Sequence, residues 1–286
     1  MTYVFMYKHR NEHTIVKMAK VLEVSESGYY KWVKRPPSKR EQEDIELIHE
    51  IKRLYDKFHG IYGARKITFE LNRTRDCRVN HKRVERLMNE YQLFSKVKKA
   101  YKKATDSNHD NKIANDLIKR DFEVKSPNEK MLSDTTAVRT KQGWLYVAGI
   151  LDMFGRIPVG LATSTKNNKE LTLAALKDLH NRGHGAPGCI LHSDRGSTYS
   201  SDVYQAQTSK YELLISMSRK GDCWDNAPME SFWGKLKTEW LKEIYDTIEE
   251  ARSDVYEYVW SFYTHLRIHA ANGYLTPAQF YAQGST

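Results

Sequence analysis

The stretch MLSDTTAVRTKQGWLYVAGILDMFGRIPVGLATS, residues 131–164, changes the period of the chain. Upstream, apolar residues recur at helical spacing; here they come in extended, β-branched and aromatic runs broken by short polar connections. Three strands are predicted, over 131–138, 144–154 and 157–164. Gln142-Gly143 and Gly155-Arg156 mark the turns of an antiparallel meander.

Downstream, CILHSD (189–194) and LLISMS (213–218) read as two further strands, while 168–181 and 201–212 read as helices. A helix between strands is a crossover and makes the later strands parallel. The expected fold is α/β, a mixed five-stranded sheet with its first and fourth strands side by side. Three strands, helix, strand, helix, strand, helix is the order of a ribonuclease-H-like domain.

Upstream of residue 130 the chain reads as all-α, with the grammar of helix-turn-helix. In KMAKVLEVSESGYYKWVKRPP, Met18, Val21 and Leu22 precede Ser25, a predicted N-cap, then Tyr29, Tyr30 and Trp32. Pro36 and Pro37 close that segment. Residues 41–58 form an amphipathic helix with Ile45, Ile48, Ile51, Leu54 and Tyr55 on one stripe. YGARKITFELN follows, and then RVNHKRVERLMNEYQLF, where Asn80 caps a helix. Its Val84, Leu87 and Met88 face inward while Lys82, Arg83 and Arg86 face out, the shape of a recognition helix. A three-helix bundle with a charged outer face has the same pattern. The next run packs Lys96, Lys98, Lys99, Lys102 and Lys103 around Tyr101 without apolar period and reads as a basic linker. The expected division is 1–40 N-terminal helical segment, 41–97 helix-turn-helix domain, 98–125 basic linker and 126–286 α/β domain with C-terminal helices.

The 286 residues are 40% apolar and 12% aromatic, a soluble globular composition, and have no apolar run long enough for a membrane span. The start, MTYVFMYKHRNEH, is too polar for a secretory signal, so a cytoplasmic location is expected. Cys77, Cys189 and Cys223 are scattered, with no Cys-x-x-Cys pair, which excludes a disulfide framework and a zinc finger. The net charge of +10 is confined to the first half: residues 1–130 hold 30 Lys and Arg against 19 Asp and Glu, and the remainder 16 against 17. Such asymmetry suits a nucleic-acid partner, although a solvated basic surface has the same composition.

Three carboxylates stand where this topology brings them together. Asp134 lies on the first strand and Asp194 at the end of the fourth. Glu230 sits in DNAPMESFWGKLKTEW, where Asp225 or Asn226 caps a helix and Pro228 fits its first turn. Phosphoryl transfer needs such a set, because two divalent cations on hard oxygen ligands stabilise both the attacking and the leaving oxygen. Singly, each acid reads as a surface residue; the 35 residues between Asp194 and Glu230, with HSDRGS and SRKGDCWDNAPMES around them, are the stronger signal.

Those motifs resemble the second-reading-frame transposase of the insertion sequence 3 family, bacterial relatives of retroviral integrases with an Asp-Asp-(35)-Glu triad. The resemblance runs through YGARKI, VNHKRVERLM, SDTT, GWLYVAGILDMFGRIPVG, HSDRGS, SRKGDCWDNAPMESFW and the tail FYTHLRIHAANGYLTPAQF. It implies an integrase catalytic core and assigns metal binding and catalysis to Asp134, Asp194 and Glu230, with two Mg²⁺ ions, or Mn²⁺ in their place. It implies that Lys237, seven residues beyond Glu230, holds DNA near the scissile phosphate; Lys235, Arg195, Arg65, Lys66, Lys82, Arg83 and Arg86 are the further expected DNA contacts. The implied partners are double-stranded DNA, as terminal inverted repeats and as target, further copies of the chain, and a first-reading-frame partner or fusion. The alternative is a non-catalytic DNA-binding regulator derived from a transposase. A hydrolytic nuclease of the same fold is disfavoured by the spacing, and a retroviral-type zinc module by the scattered cysteines.

Other residues stay open at this point. Asp152, a fourth acid on a strand, is open to pairing with Arg156 or to replacing Asp134. His265 and His269 have ligand spacing on a helix but no third partner, and are expected to pack or hydrogen-bond. His192 and Arg195 flank Asp194 and are read either as positioning it or as structural. Met131, Ser133, Thr198 and Thr264 depart from the residues common in the family.

Overall fold

A computed structural model describes residues 2–97, 114–218 and 226–284. Local capping chemistry sets the first helices. Thr14 and Ser25 accept from Lys17 N at 3.4 Å and Gly28 N at 3.1 Å. They start α2 (Ile15–Val21) and α3 (Glu26–Lys34), which with α1 (Thr2–Lys8) enclose a small core of Met6, Met18, Ala19 and Tyr29. A capping box between Ser38 and Glu41 then starts α4 (Lys39–Lys57). Ile48, Ile51, Leu54 and Tyr55 are buried as the stripe requires, but Ile45 is 48% exposed and Leu47 takes its place. Ile45 lies roughly 120° round the helix from Ile51 and falls off the buried arc.

Two helices complete this unit, α5 (Ala64–Thr74) and α6 (His81–Glu90), the latter capped by Asn80, whose side chain accepts from Lys82 N at 2.9 Å. The unit does not stand apart. Its apolar face runs without a break into the layer beneath the sheet. Tyr62 Oη donates to Leu266 O at 3.1 Å and accepts from Ile268 N at 2.8 Å. Phe69 stacks on Tyr274 with centroids 4.8 Å apart.

The run with Lys98, Lys99, Tyr101, Lys102 and Lys103 lies outside the described residues. The end of the expected linker does not behave as one: Ile118 is buried, Phe122 and Val124 pack on the core, and Leu117 N donates to Ser216 Oγ at 2.9 Å.

The sheet comprises β1 (Lys130–Thr140), β2 (Gly143–Asp152), β3 (Ile157–Ser164), β4 (Ile190–Ser193) and β5 (Leu214–Met217), in the order β3-β2-β1-β4-β5. β1 to β3 are antiparallel, and β4 and β5 run parallel to β1. This is the order expected of a ribonuclease-H-like domain. α7 (Lys169–Asn181) and α8 (Asp202–Lys210) cover one face through Leu171, Leu176, Leu179 and Tyr204. The other face carries α9 (Ala227–Lys235), α10 (Ile248–Tyr256) and the tail, and α11 (Pro277–Gln283) packs Phe280 and Tyr281 against Phe154.

Two π-helical segments, Leu236–Trp240 and Glu257–Leu266, continue α9 and α10. Trp240 meets Tyr258 and Phe262 at 5.7 and 5.0 Å between them, and Glu239 bonds Arg267 just beyond. Sequence period gave no sign of them, since a π segment adds less than one residue per turn. Among the described residues no helix is long and apolar enough to cross a membrane.

Candidate active site

The register of β1 and β4 decides where two of the acids stand. Ser133 pairs with Ser193, so Asp134 and Asp194 come next, side by side, at the centre of the sheet where β4 ends. Asp194 is held by its own turn: Gly196 N donates to its Oδ1 at 2.9 Å. A Cβ on Gly196 would lie 2.9 Å from that same oxygen, so a side chain there would push the Asp194 carboxylate aside. Beneath them Ser133 Oγ donates to the hydroxyl of the enclosed Tyr199 at 3.2 Å.

A missing side chain brings in the third acid. Gly149 of β2 is the direct partner of Asp134, and paired residues in an antiparallel ladder present side chains to the same face. A Cβ at Gly149 would come within 2.7 Å of the Trp233 ring and 3.8 Å of Met229 Cε. α9 therefore lies on the sheet over Asp134. Glu230, in its first turn and one turn before Trp233, is exposed on that side.

Electrostatics reports the same convergence. Burial, and then the Asp194 charge, push the Asp134 carboxyl up to about 7; Glu230 adds to the rise, while the Thr135 N–H and the Lys237 ammonium oppose it. Lys237 thus lies within reach of the acids, although it sits on the π segment and not on two regular α turns. Among the described residues no three His, Cys, Asp or Glu side chains stand together as a group that could hold a metal ion. What is present is an open set of hard oxygen donors whose mutual repulsion a divalent cation would relieve, which is the donor chemistry such an ion requires.

The other expected contacts divide. Arg195 Nε donates to Ser218 O at 2.6 Å and ties the end of β4 to that of β5. Lys82 and Arg65 are exposed and make no ion pair among the described residues. Arg83 and Arg86 are engaged inside the unit: Asp44 binds Arg83 Nε at 2.7 Å and Arg86 Nη2 at 2.5 Å, with Glu43 and Glu90 alongside. They latch α6 to α4, a role that intrahelical pattern cannot show. Lys66, expected as a DNA contact, lies half-buried with Nζ 4.7 Å over the Tyr62 ring. Lys235 is also half-buried, donating to Ser231 O at 3.2 Å.

Asp152 pairs with neither Arg156 nor the acids. It is enclosed and accepts from Asn128 N at 2.8 Å, Phe154 N at 2.9 Å and Tyr281 Oη at 3.1 Å. His265 and His269 do not share a helix, because the π segment ends at Leu266. His192 is buried, with Nδ1 2.8 Å from Ser216 Oγ. The buried pair Arg267–Glu239, bidentate at 2.6 Å for both bonds, bridges the tail to the π turn beyond α9.

Comparison with known proteins identifies the domains and the family. Residues 41–101 match the model of an HTH-like domain, and residues 124–223 and 211–277 match two models of an integrase core domain. The chain is 40% identical over 264 residues to the insertion element IS600 uncharacterized 31 kDa protein of Shigella sonnei, spanning 92% of this chain and 97% of that protein. It is 34% identical over 283 residues to the transposase InsF for insertion sequence IS3A of Escherichia coli (strain K12), spanning 98% of each. Among solved structures, the HTLV-2 integrase catalytic core domain in complex with magnesium (trimeric form) aligns with 55% of this chain and 97% of its own, at 15% identity and a TM-score of 0.43. With an HTH-like unit, an integrase core and such relatives along almost its whole length, the chain belongs to the insertion sequence IS3 family of transposases.

Proposed function

We propose that this chain cuts and rejoins DNA at the ends of a mobile insertion element, with Asp134, Asp194 and Glu230 as the catalytic and metal-binding residues. The observation that carries the reading is the gathering of these acids from β1, the end of β4 and α9 onto one face, with Gly149 admitting the helix. Divalent cations bound there, two Mg²⁺ or Mn²⁺, would supply charge stabilisation at the attacking and leaving oxygens.

The reaction has two in-line displacements. Water attacks a phosphodiester at the element end: one P–O bond forms, the bond to the 3′ oxygen breaks, and that oxygen leaves as a hydroxyl. The hydroxyl then attacks a second phosphodiester and displaces its 3′ oxygen, so the number of phosphodiester bonds is kept and no external energy is consumed. The chain's own residues position these groups. Asp134 and Asp194 are rigid, one inside the ladder and one pinned by Gly196 N; Glu230 rides on a helix packed through Trp233. Lys237 adds a cation beside the acids, suited to a DNA phosphate. Lys82 and Arg65 are two exposed cations of the helix-turn-helix unit, suited to meet the backbone of terminal repeats. Two ends must be held at once, so the working form is an assembly of more than one copy on DNA.

The test is cleavage and joining of labelled duplex bearing the element's terminal repeats, with Mg²⁺, comparing the native chain with Glu230→Gln. Joined product from the native chain alone, with duplex binding equal in both, supports the reading. Binding without metal-dependent cutting by the native chain overturns it in favour of a regulator.

A further inference from the structure

A second charged centre, opposite in sign to the carboxylates, lies where the helix-turn-helix unit meets the sheet domain. Four cations converge there: Lys66 of α5, Arg156 of the β2–β3 turn, Lys235 at the end of α9, and Arg267 after the second π segment. His269 is within electrostatic reach of all four. The acid among them, Glu239, is already engaged by both Arg267 nitrogens at 2.6 Å and by Tyr258 Oη at 3.1 Å. Among the described residues, Lys66, Arg156 and Lys235 have no carboxylate at ion-pair distance.

The surroundings hold these groups in place. Tyr62 Oη clamps the tail on both sides of Arg267, through Leu266 O and Ile268 N, while its ring carries the Lys66 ammonium. Tyr263 lies under Arg267 and His269, with its centroid 5.8 Å from the guanidinium carbon and 5.4 Å from the imidazole. Asn272 Nδ2 donates to Gly155 O at 2.8 Å and fixes the turn from which Arg156 projects, at a φ of 54°. His269 is 5% exposed, and its Nε2 is buried without a hydrogen-bond partner.

Burial, with Arg267 as the next cause, lowers both Lys66 and Lys235 to about 8, and burial with the same four cations holds His269 far below its usual value. Half-buried like charges around an unpartnered polar nitrogen cost free energy unless something compensates them. An anion with several acceptor oxygens does so, since Arg supplies a planar fork and Lys a point charge. Both lysines keep part of their surface in solvent, which leaves the seam open to a ligand.

We propose that Lys66, Arg156, Lys235 and His269, braced by Arg267, form a phosphate-binding site that takes a backbone phosphodiester of DNA lying across the seam. The proposal rests on the DNA reading above and deepens it. Lys235 is five residues beyond Glu230 on the same helix, and Lys66 belongs to the end-recognition unit. One phosphate therefore ties the seating of DNA on that unit to the helix carrying the third acid.

The experiment uses the full chain and inorganic phosphate as the first probe, exchanged for chloride at constant ionic strength and followed by thermal unfolding and ³¹P NMR. The native chain should show a saturable rise in Tm and a bound phosphate signal, both abolished when duplex carrying the terminal repeats is added. Lys66→Gln and Lys235→Gln should each lose the phosphate effect and bind duplex at least about tenfold more weakly at low salt, with a log–log salt slope smaller by about one. Without phosphate their Tm should equal or exceed the native value, because a repelled charge is gone. Phosphate binding that duplex does not displace would make this a free-phosphate site and overturn the DNA assignment. Absence of a phosphate effect in the native chain, or variants within about twofold of native toward both probes, would overturn the site itself. Strand joining in the same buffer keeps the two readings apart: no joining with the phosphate effect intact removes the enzyme and leaves the site.

Discussion

Asp134 and Asp152 stand on neighbouring antiparallel strands, and both are raised above the ordinary carboxylate range, first of all by burial, to about 7 and about 6. Their surroundings are opposite. Asp152 has two backbone N–H groups and a tyrosine hydroxyl directed at it, and its neighbourhood is complete. Asp134 faces Asp194 and Glu230, two more acids. A buried carboxylate whose hydrogen-bond demand is met serves the fold, and one surrounded by its own charge serves a ligand that has yet to arrive.

The largest effect expected from this contrast is catalytic. Asp134→Asn should lower strand joining by at least ~10³-fold, about 4 kcal/mol of barrier, while leaving the metal-free Tm unchanged or higher because a like-charge repulsion has gone. A clear fall in Tm would place Asp134 with Asp152 and end the distinction. Glu239→Gln probes a third situation, an acid matched by a buried cation: Arg267 would be left uncompensated, at a cost on the order of 3 kcal/mol in chemical denaturation. An unchanged denaturation midpoint would show that the pair is not a support of the tail.

Asp152→Ala should cost about 2 kcal/mol, since it strands the N–H groups of Asn128 and Phe154. Joining by the folded fraction should stay within about threefold of native; a catalytic loss larger than the stability loss would tie Asp152 to the site after all. The smallest effect is pH-dependent. With its folded value raised from 3.8 to about 6, Asp152 keeps its proton in the native state while the unfolded chain has lost it. Its contribution is therefore full below pH about 4 and is lost as pH rises through about 6. Asp152→Asn should flatten that part of the stability profile; an unaltered slope would refute the assignment.

Much of this was legible in the residues. The change of period near 130, the glycine turns and the helical crossovers predict the strand order, and parallel pairing of the first and fourth strands follows from it. Asp134 and Asp194 are then neighbours by register, and Glu230 follows the proline in the first turn of α9; the expected cap is not made by Asn226, which has no side-chain cap bond, and Asp225 lies outside the described residues. Gly149 reads as one small residue in an apolar strand, yet it admits Trp233 and hence α9. Its meaning depends on a partner 84 positions away, at Trp233. Arg83 and Arg86 look like an outward basic face until α4 supplies Asp44.

Local sequence, through period, caps and turn residues, determined which segments are helix or strand and which acids could carry phosphoryl chemistry, because those signals act over a few residues. Only the packing of layers decided that Ile45 faces out, that Lys66 and Lys235 turn into the seam, that the helix-turn-helix unit shares its core with the sheet domain, and that Asp152 is ringed by donors while Asp134 is crowded by two further acids. Those outcomes depend on burial and on charges contributed from distant parts of the chain, as when Tyr62 clamps the tail at Leu266 and Ile268, and no periodicity within a segment encodes them.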